Sequence, residues 1–148
     1  MPDFDVFNGD ADGICALTQL RNAEPRDATL VTGVKRDIAL LDRVDADVGS
    51  RVTVLDVSMD KNRAELERVL AQGAEVFYCD HHFAGDIPAN DRLQTHINTS
   101  PEVCTSLLIN GHLQGAFPEW AVVGTFGDNL KDSARAMARP LGLDDARL

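Results

Sequence analysis

The stretch Asn8-Gly9-Asp10-Ala11-Asp12-Gly13 decides how the rest of the chain is read. It follows Asp3-Phe4-Asp5-Val6-Phe7, whose apolar positions suit a short strand entering a core. It precedes Ile14-Cys15-Ala16-Leu17-Thr18-Gln19-Leu20, where Ile14, Leu17 and Leu20 fall on one helical stripe. The stretch is therefore a strand-to-helix loop holding two carboxylates, flexed by Gly9 and Gly13. Open α/β sheets bind their ligands at this end of a strand.

The same alternation continues downstream. Ala28–Thr32 reads as a second strand leaving through Gly33, and Asp37 as the cap of a short helix with Ile38, Leu41 and Val44 inward. Arg51–Asp56 is a near-continuous apolar run ending in an acid, as expected of a strand covered on both faces. Asp60 is expected to cap a helix running to Ala71, with Leu66, Val69 and Leu70 buried and Gly73 as its stop. Glu75–Cys79 is the fourth strand and ends at Asp80-His81-His82; Leu93–Ile97 is the fifth.

Ser100-Pro101-Glu102 has the makings of a helix start, and Pro118-Glu119 begins another helix that reaches Gly127-Asp128-Asn129. A last helix spans Ser133–Ala138 and closes at Pro140. Strands alternating with helices across short connections predict one α/β domain over residues 1–148. The expected core is a doubly wound, mainly parallel five-stranded sheet with helices on both faces, in the order 2-1-3-4-5.

Composition limits the function classes. With 24 Asp and Glu against 14 Lys and Arg, the net charge of −10 argues against a general affinity for nucleic acid or acidic membranes. A cation held by carboxylates would invert that field locally and admit a phosphorylated substrate. There is no apolar run of membrane-spanning length and no signal-peptide pattern. Cys15, Cys79 and Cys104 are unpaired in pattern and lie in apolar contexts, which reads as buried thiols in a cytoplasmic protein.

In a parallel sheet the ends of strands one, three and four lie along one edge. Asp10 and Asp12, then Asp56, then Asp80, His81 and His82 therefore converge there, and Asp128 reaches the edge if its helix packs against it. Singly, each Asp is a helix cap or turn residue and each His a satisfied hydrogen-bonding group. Together they read as a metal centre of carboxylates with one or two imidazoles, a donor set favouring Mn²⁺, with Mg²⁺, Co²⁺ or Zn²⁺ as alternatives. Five or more ligands point to two ions. A shared carboxylate such as Asp56 can bridge ions about 3.5–4 Å apart, the spacing of phosphoryl-transfer sites. One of His81 and His82 is left to serve the leaving oxygen.

These residues also resemble a known family. Asn8–Gly13, Asp56 within Leu55-Asp56-Val57-Ser58, Asp80-His81-His82 and Gly124-Thr125-Phe126-Gly127-Asp128-Asn129 occur in the order of the four motifs of the DHH phosphoesterase superfamily, which includes RecJ-like exonucleases. The resemblance implies that Asp10 and Asp12 ligate different metals with Asp56 between them. It implies His81 and Asp128 as further ligands, His82 as the group contacting or protonating the scissile phosphoester, and Asp80 as the residue orienting its neighbours.

Two departures accompany the likeness. Val6 stands where some members have a metal-binding His, and Asn8 where RecJ-like members have Asp; an Asn8 amide oxygen is a weaker ligand. The Gly-rich, basic C-terminal substrate domain of the family is not found, so the chain reads as a catalytic DHH domain alone.

The expected activity is Mn²⁺-dependent hydrolysis of a phosphodiester or phosphoanhydride. Its substrate would be a phosphorylated small molecule, a cyclic dinucleotide or a short oligonucleotide. The alternatives are an isolated domain that binds metal or nucleotide with little turnover, and a receiver-like phospho-acceptor built on Asp56. The receiver reading lacks a Ser or Thr after strand four and has no Lys between Lys61 and Lys131.

Overall fold

A computed structural model describes residues 2–34 and 39–143. Five strands, β1 Phe4–Asn8, β2 Thr29–Gly33, β3 Arg51–Leu55, β4 Glu75–Asp80 and β5 Leu93–Ile97, form one sheet in the order β2-β1-β3-β4-β5. All four pairings are parallel, with Val6 opposite both Val31 and Val54, and Val54 opposite Tyr78. This is the predicted order, and it brings the ends of β1, β3 and β4 side by side.

The sheet is covered on both faces because its central strands are apolar on both. On one face Val6, Val52, Val54, Val76 and Tyr78 pack against α2 (Arg63–Ala71) and a short 3₁₀ turn at Leu40–Arg43. On the other, Phe7, Leu55 and Cys79 meet Ala16, Leu20 and Ile109 from α1 (Ala11–Ala23) and α3 (Thr105–His112). Helix α4 (Pro118–Gly127) packs on α1 and α3, and α5 (Lys131–Ala138) packs on α4. Each fully buried Leu or Val in these layers contributes roughly 1.5–3 kcal/mol. Among the described residues, no helix is long and apolar enough to cross a membrane.

The helix starts depart from expectation in instructive ways. Asp60 does not cap α2; it pairs with Arg63 at 3.1 Å, and the helix begins after a turn closed by Asn62 N–H donating to Met59 O. Leu66, Val69 and Leu70 are its buried stripe as expected, and Gly73 ends it at φ +92°. Ser100–Glu102 forms only a turn, with Val103 N–H donating to Ser100 O, and α3 starts at Thr105.

In α1, Ile14 is exposed, and the buried positions are Asp12, Gly13, Cys15, Ala16, Gln19 and Leu20. That helix lies between the sheet and the α3–α4 pair, so its buried face is broader than a single stripe and includes polar members. The last helix begins at Lys131 rather than Ser133, and Pro140 sits in the 3₁₀ turn that follows it. The expected Asp37 cap and Ile38 lie outside the described residues, whereas Leu41 and Val44 are buried.

Candidate metal centre

Asp12, at the start of α1, is buried, and its carboxylate is built into the amino end of α3. Oδ1 accepts Ser106 N–H at 2.7 Å and Oδ2 accepts Thr105 N–H at 3.1 Å, while Ser106 Oγ donates to Asp12 O at 2.8 Å. Asp12 thus caps α3 from across the fold, which explains why that helix starts at Thr105 and not at Ser100. Gly13 lets the first turn of α1 lie against the end of β1, since a Cβ there would collide with Asn8 O.

Asp56 follows β3 in the left-handed region at φ 63°, a conformation that costs about 1 kcal/mol or more for a residue with a side chain. The bend is held by Asp56 N–H donating to Cys79 O at 3.1 Å. The Asp56 side chain accepts from Thr105 Oγ1 at 3.2 Å and lies 3.0 Å from His81 Nε2. The same His81 nitrogen is 3.5 Å from Asp12 Oδ2 and 3.5 Å from Asp128 Oδ2.

One imidazole nitrogen therefore faces three carboxylates from α1, the end of β3 and the end of α4. Asp128 occupies the C-cap of α4, the negative end of that helix, where a carboxylate is poorly placed unless a cation accompanies it.

Asp80, fully buried at the end of β4, shares a hydrogen bond with His82 Nδ1 through Oδ1 at 2.7 Å. That hydrogen bond raises the His82 pKa; burial opposes it and the Asp80 charge reinforces it. Asp10 is the N-cap of α1, accepting Gly13 N–H at 3.0 Å, and also reaches the Asp56 side chain. Val6 is fully buried in the core, well inside β1. Asn8 ends β1, and its Oδ1 is buried without a hydrogen bond.

The donor chemistry fits a divalent cation. Burial, then the Asp12 and Asp10 charges, push the Asp56 carboxyl up to about 10, which is what crowded acids do when no cation balances them. Among the described residues Asn8 Oδ1 and Asp80 Oδ2 are buried acceptors without partners, groups that normally cost about 1–3 kcal/mol each. Asp56, Asp80, His81 and His82 can each turn one donor atom to a common ion, as can Asp12, His81 and Asp128. His81 belongs to both sets.

The fold is the one found in RecJ. The crystal structure of RecJ in complex with Mn²⁺ from Thermus thermophilus matches 93% of this chain with a TM-score of 0.59 and 22% identity. The present chain spans 23% of the length of that RecJ chain. No family model matches the sequence, and no curated protein does. The likeness to RecJ is one of fold.

Asp12, Asp56, Asp80, His81, His82 and Asp128 lie together at this edge, and Asp10 is a helix cap as well as a neighbour of Asp56. Thr105 and Ser106 escaped the sequence reading. The signal was present as two hydroxyl residues directly before Leu107-Leu108-Ile109, but Ser100-Pro101-Glu102 competed as the helix start. The partner that decides between them, Asp12, lies 93 residues earlier than Thr105.

Proposed function

We propose that this chain is the catalytic domain of a metal-dependent phosphoesterase that cleaves a phosphodiester or phosphoanhydride with a metal-activated water. The observation that carries the reading is the meeting of two acid–imidazole sets at His81, one with Asp12 and Asp128, the other with Asp56, Asp80 and His82. Asp10, Asp12, Asp56, His81 and Asp128 would hold two divalent cations, with the Asn8 amide oxygen as a weaker ligand. Bound there, the cations would supply an acidified water and neutralise phosphoryl charge. Carboxylates with imidazole favour Mn²⁺, and Mg²⁺ or Co²⁺ would substitute.

The chain's own residues divide the remaining work. Asp80 fixes His82 through Nδ1, leaving Nε2 as the nitrogen that meets substrate, and the His82 side chain is 42% exposed. The hydrogen bond to Asp80 raises the His82 pKa and so favours the protonated ring that a departing oxygen needs. Thr105 holds the Asp56 carboxyl and the α3 amides hold Asp12, so neither must reorganise during reaction. The substrate class is a phosphorylated small molecule, a cyclic dinucleotide or a short oligonucleotide. The compartment is the cytoplasm, and a C-terminal domain of the same natural chain would supply the grip on substrate.

The test combines calorimetry with MnCl₂ and hydrolysis of a generic phosphodiester, pyrophosphate, a cyclic dinucleotide and a short oligonucleotide. Asp56→Asn is expected to lose at least about tenfold in Mn²⁺ affinity. His82→Ala is expected to keep Mn²⁺ and lose about 10²-fold or more in hydrolysis. Unchanged Mn²⁺ affinity in Asp56→Asn, or full turnover in His82→Ala, overturns the assignment.

A further inference from the structure

We propose that the amino-terminal edge of the sheet carries a second ligand site, which takes a small phosphate monoester attached to a planar ring, the chemistry of a nucleoside monophosphate. A cavity of about 430 Å³ opens there, between the last turn of α1, the first residues of β3 and β4, the start of β5 and His112 at the end of α3. This is the opposite edge of the sheet from His81, and the volume lies in the range of small-molecule sites.

The lining gathers four arginines in a chain of net charge −10, beside three acids. Arg21, Arg26, Arg51 and Arg92 all border the cavity. Three of them are committed. Arg21 grips Asp5 through two hydrogen bonds at 2.8 and 2.6 Å, and Arg51 grips Asp3 at 3.1 and 2.6 Å. Arg92 donates to Leu70 O at 2.6 Å and Ala74 O at 3.3 Å.

Arg26 is different. Its side chain is only 16% exposed, yet among the described residues its hydrogen bonding amounts to a 3.4 Å contact to Thr53 Oγ1, which already accepts Arg21 Nη2 at 3.0 Å. Its carboxylate neighbour, Glu24, stands 4.0 Å away with a side chain 62% exposed. A guanidinium offers five N–H donors, so among the described residues most donors of this one are uncommitted. Burial, then repulsion from Arg21 and Arg51, lower its pKa, and the charges of Asp3 and Asp5 only partly offset them. A phosphate supplies both the charge and the acceptors, in the fork geometry that guanidinium prefers.

The rest of the lining suits a ring. Phe77 and His112 border the cavity with their ring centroids 5.1 Å apart, and Leu20, Val52 and Val76 continue the apolar surface. Such a surface stacks an aromatic base face-on without reading its identity. Glu24, Glu75 and Asp91 also border the cavity and are exposed, which disfavours a long polyanion and favours a small one.

The experiment titrates adenosine 5′-monophosphate, adenosine and inorganic phosphate into the labelled chain in excess EDTA, read by amide chemical shifts. Chelation removes any contribution from the candidate metal centre, so the outcome is separate from the activity proposed above. The monophosphate is expected to shift Thr53, Phe77 and His112 and to bind more tightly than phosphate or adenosine. Arg26→Gln, in a connection outside the helices and strands, should weaken it about tenfold or more. Phe77→Leu should weaken the monophosphate but not phosphate.

Absence of shifts, or shifts confined to Asp10–Gly13 and Asp80–His82, overturns the site. Unchanged affinity in Arg26→Gln overturns the role of its guanidinium. Equal affinity for phosphate and the monophosphate overturns the ring-bearing assignment.

Discussion

His81 Nε2 stands 3.0 Å from Asp56 Oδ1, so an imidazole from the end of β4 and a carboxylate from the end of β3 meet across neighbouring strands. The contact follows from register. Leu55 is paired with Cys79, so Asp56, one residue on, and His81, two residues on, come to the same edge of the sheet. The chain turns there through a left-handed Asp56, whose side chain meets both His81 and Thr105.

The first prediction concerns that carboxyl. With its pKa raised to about 10 by burial and by Asp12 and Asp10, the metal-free folded chain retains a proton that the unfolded chain releases near pH 4. A raised carboxyl pKa makes the folded state lose stability as pH rises from about 4 towards 10. Asp56→Asn should therefore be more stable than the parent in EDTA at pH 8, by about 1–2 kcal/mol, with the advantage vanishing near pH 4. Added Mn²⁺ should raise the melting temperature of the parent and raise that of Asp56→Asn by less. Thermal unfolding across pH, with and without Mn²⁺, checks both statements.

A second prediction tests the packing behind Asp12. A Cβ at Gly124 would overlap Ser106 Oγ and approach Cys15 Cβ to 3.1 Å. Ser106 is the residue whose amide and hydroxyl both bind Asp12, so Gly124→Ala should disturb the site without touching a candidate ligand. Overpacking of this kind costs about 1–3 kcal/mol. Denaturant unfolding should register that loss, and Mn²⁺ affinity should fall with it. Ser106→Gly in the same background should restore part of the stability.

The third prediction uses the Asp3–Arg51 pair, in which Arg51 Nη2 lies 2.6 Å from Asp3 Oδ2 and Arg51 N–H donates to Asp3 Oδ1 at 2.9 Å. Burial acts to raise the Asp3 pKa, but the Arg51 hydrogen bonds and charge outweigh it and hold the carboxyl below its ordinary value. A lowered carboxyl pKa contributes stability above the unfolded value near 4, and that contribution is lost as pH falls through the folded value. Asp3→Asn should be less stable than the parent at pH 6, and the two should converge below about pH 3. Urea midpoints measured from about pH 2.5 to 7 decide it.

The cysteines give a fourth. Cys15, Cys79 and Cys104 are buried free thiols, and burial above all raises their pKa, with nearby Asp12 adding to the effect and Cys104 pushed up to about 12. Thiolate is the reactive species, so the native protein should not react with a disulfide reagent at pH 8 on the timescale of free cysteine. All of these thiols should titrate promptly in urea. Prompt labelling of any one in the native protein would contradict its placement.

Much of this molecule was legible in one dimension. Apolar runs of strand length, alternating with helical stripes and stopped by residues such as Gly73, dictate a parallel α/β sheet because those runs must be covered on both faces. Once the sheet is parallel, its carboxyl ends share an edge, and Asp56, Asp80, His81 and His82 are assigned to that edge by position alone. The order β2-β1-β3-β4-β5 followed from the general habit of such sheets, and the register in the structure agrees with it.

Tertiary structure decided what spacing does not encode. Asp12 caps α3 because folding brings a buried carboxylate to two unsatisfied amides, and that contact outweighs the local start signal at Ser100-Pro101-Glu102. Ile14 is exposed while Gln19 is buried, because α1 is enclosed by the sheet, α3 and α4 rather than resting on one surface. Buried Gln19 donates Nε2–H to Ser106 O at 3.1 Å, a partner far away in sequence. The sparse hydrogen bonding of Arg26 beside three committed arginines is likewise a fact of packing. Local sequence sets which backbone each segment prefers, and only the assembled fold determines which polar groups find partners.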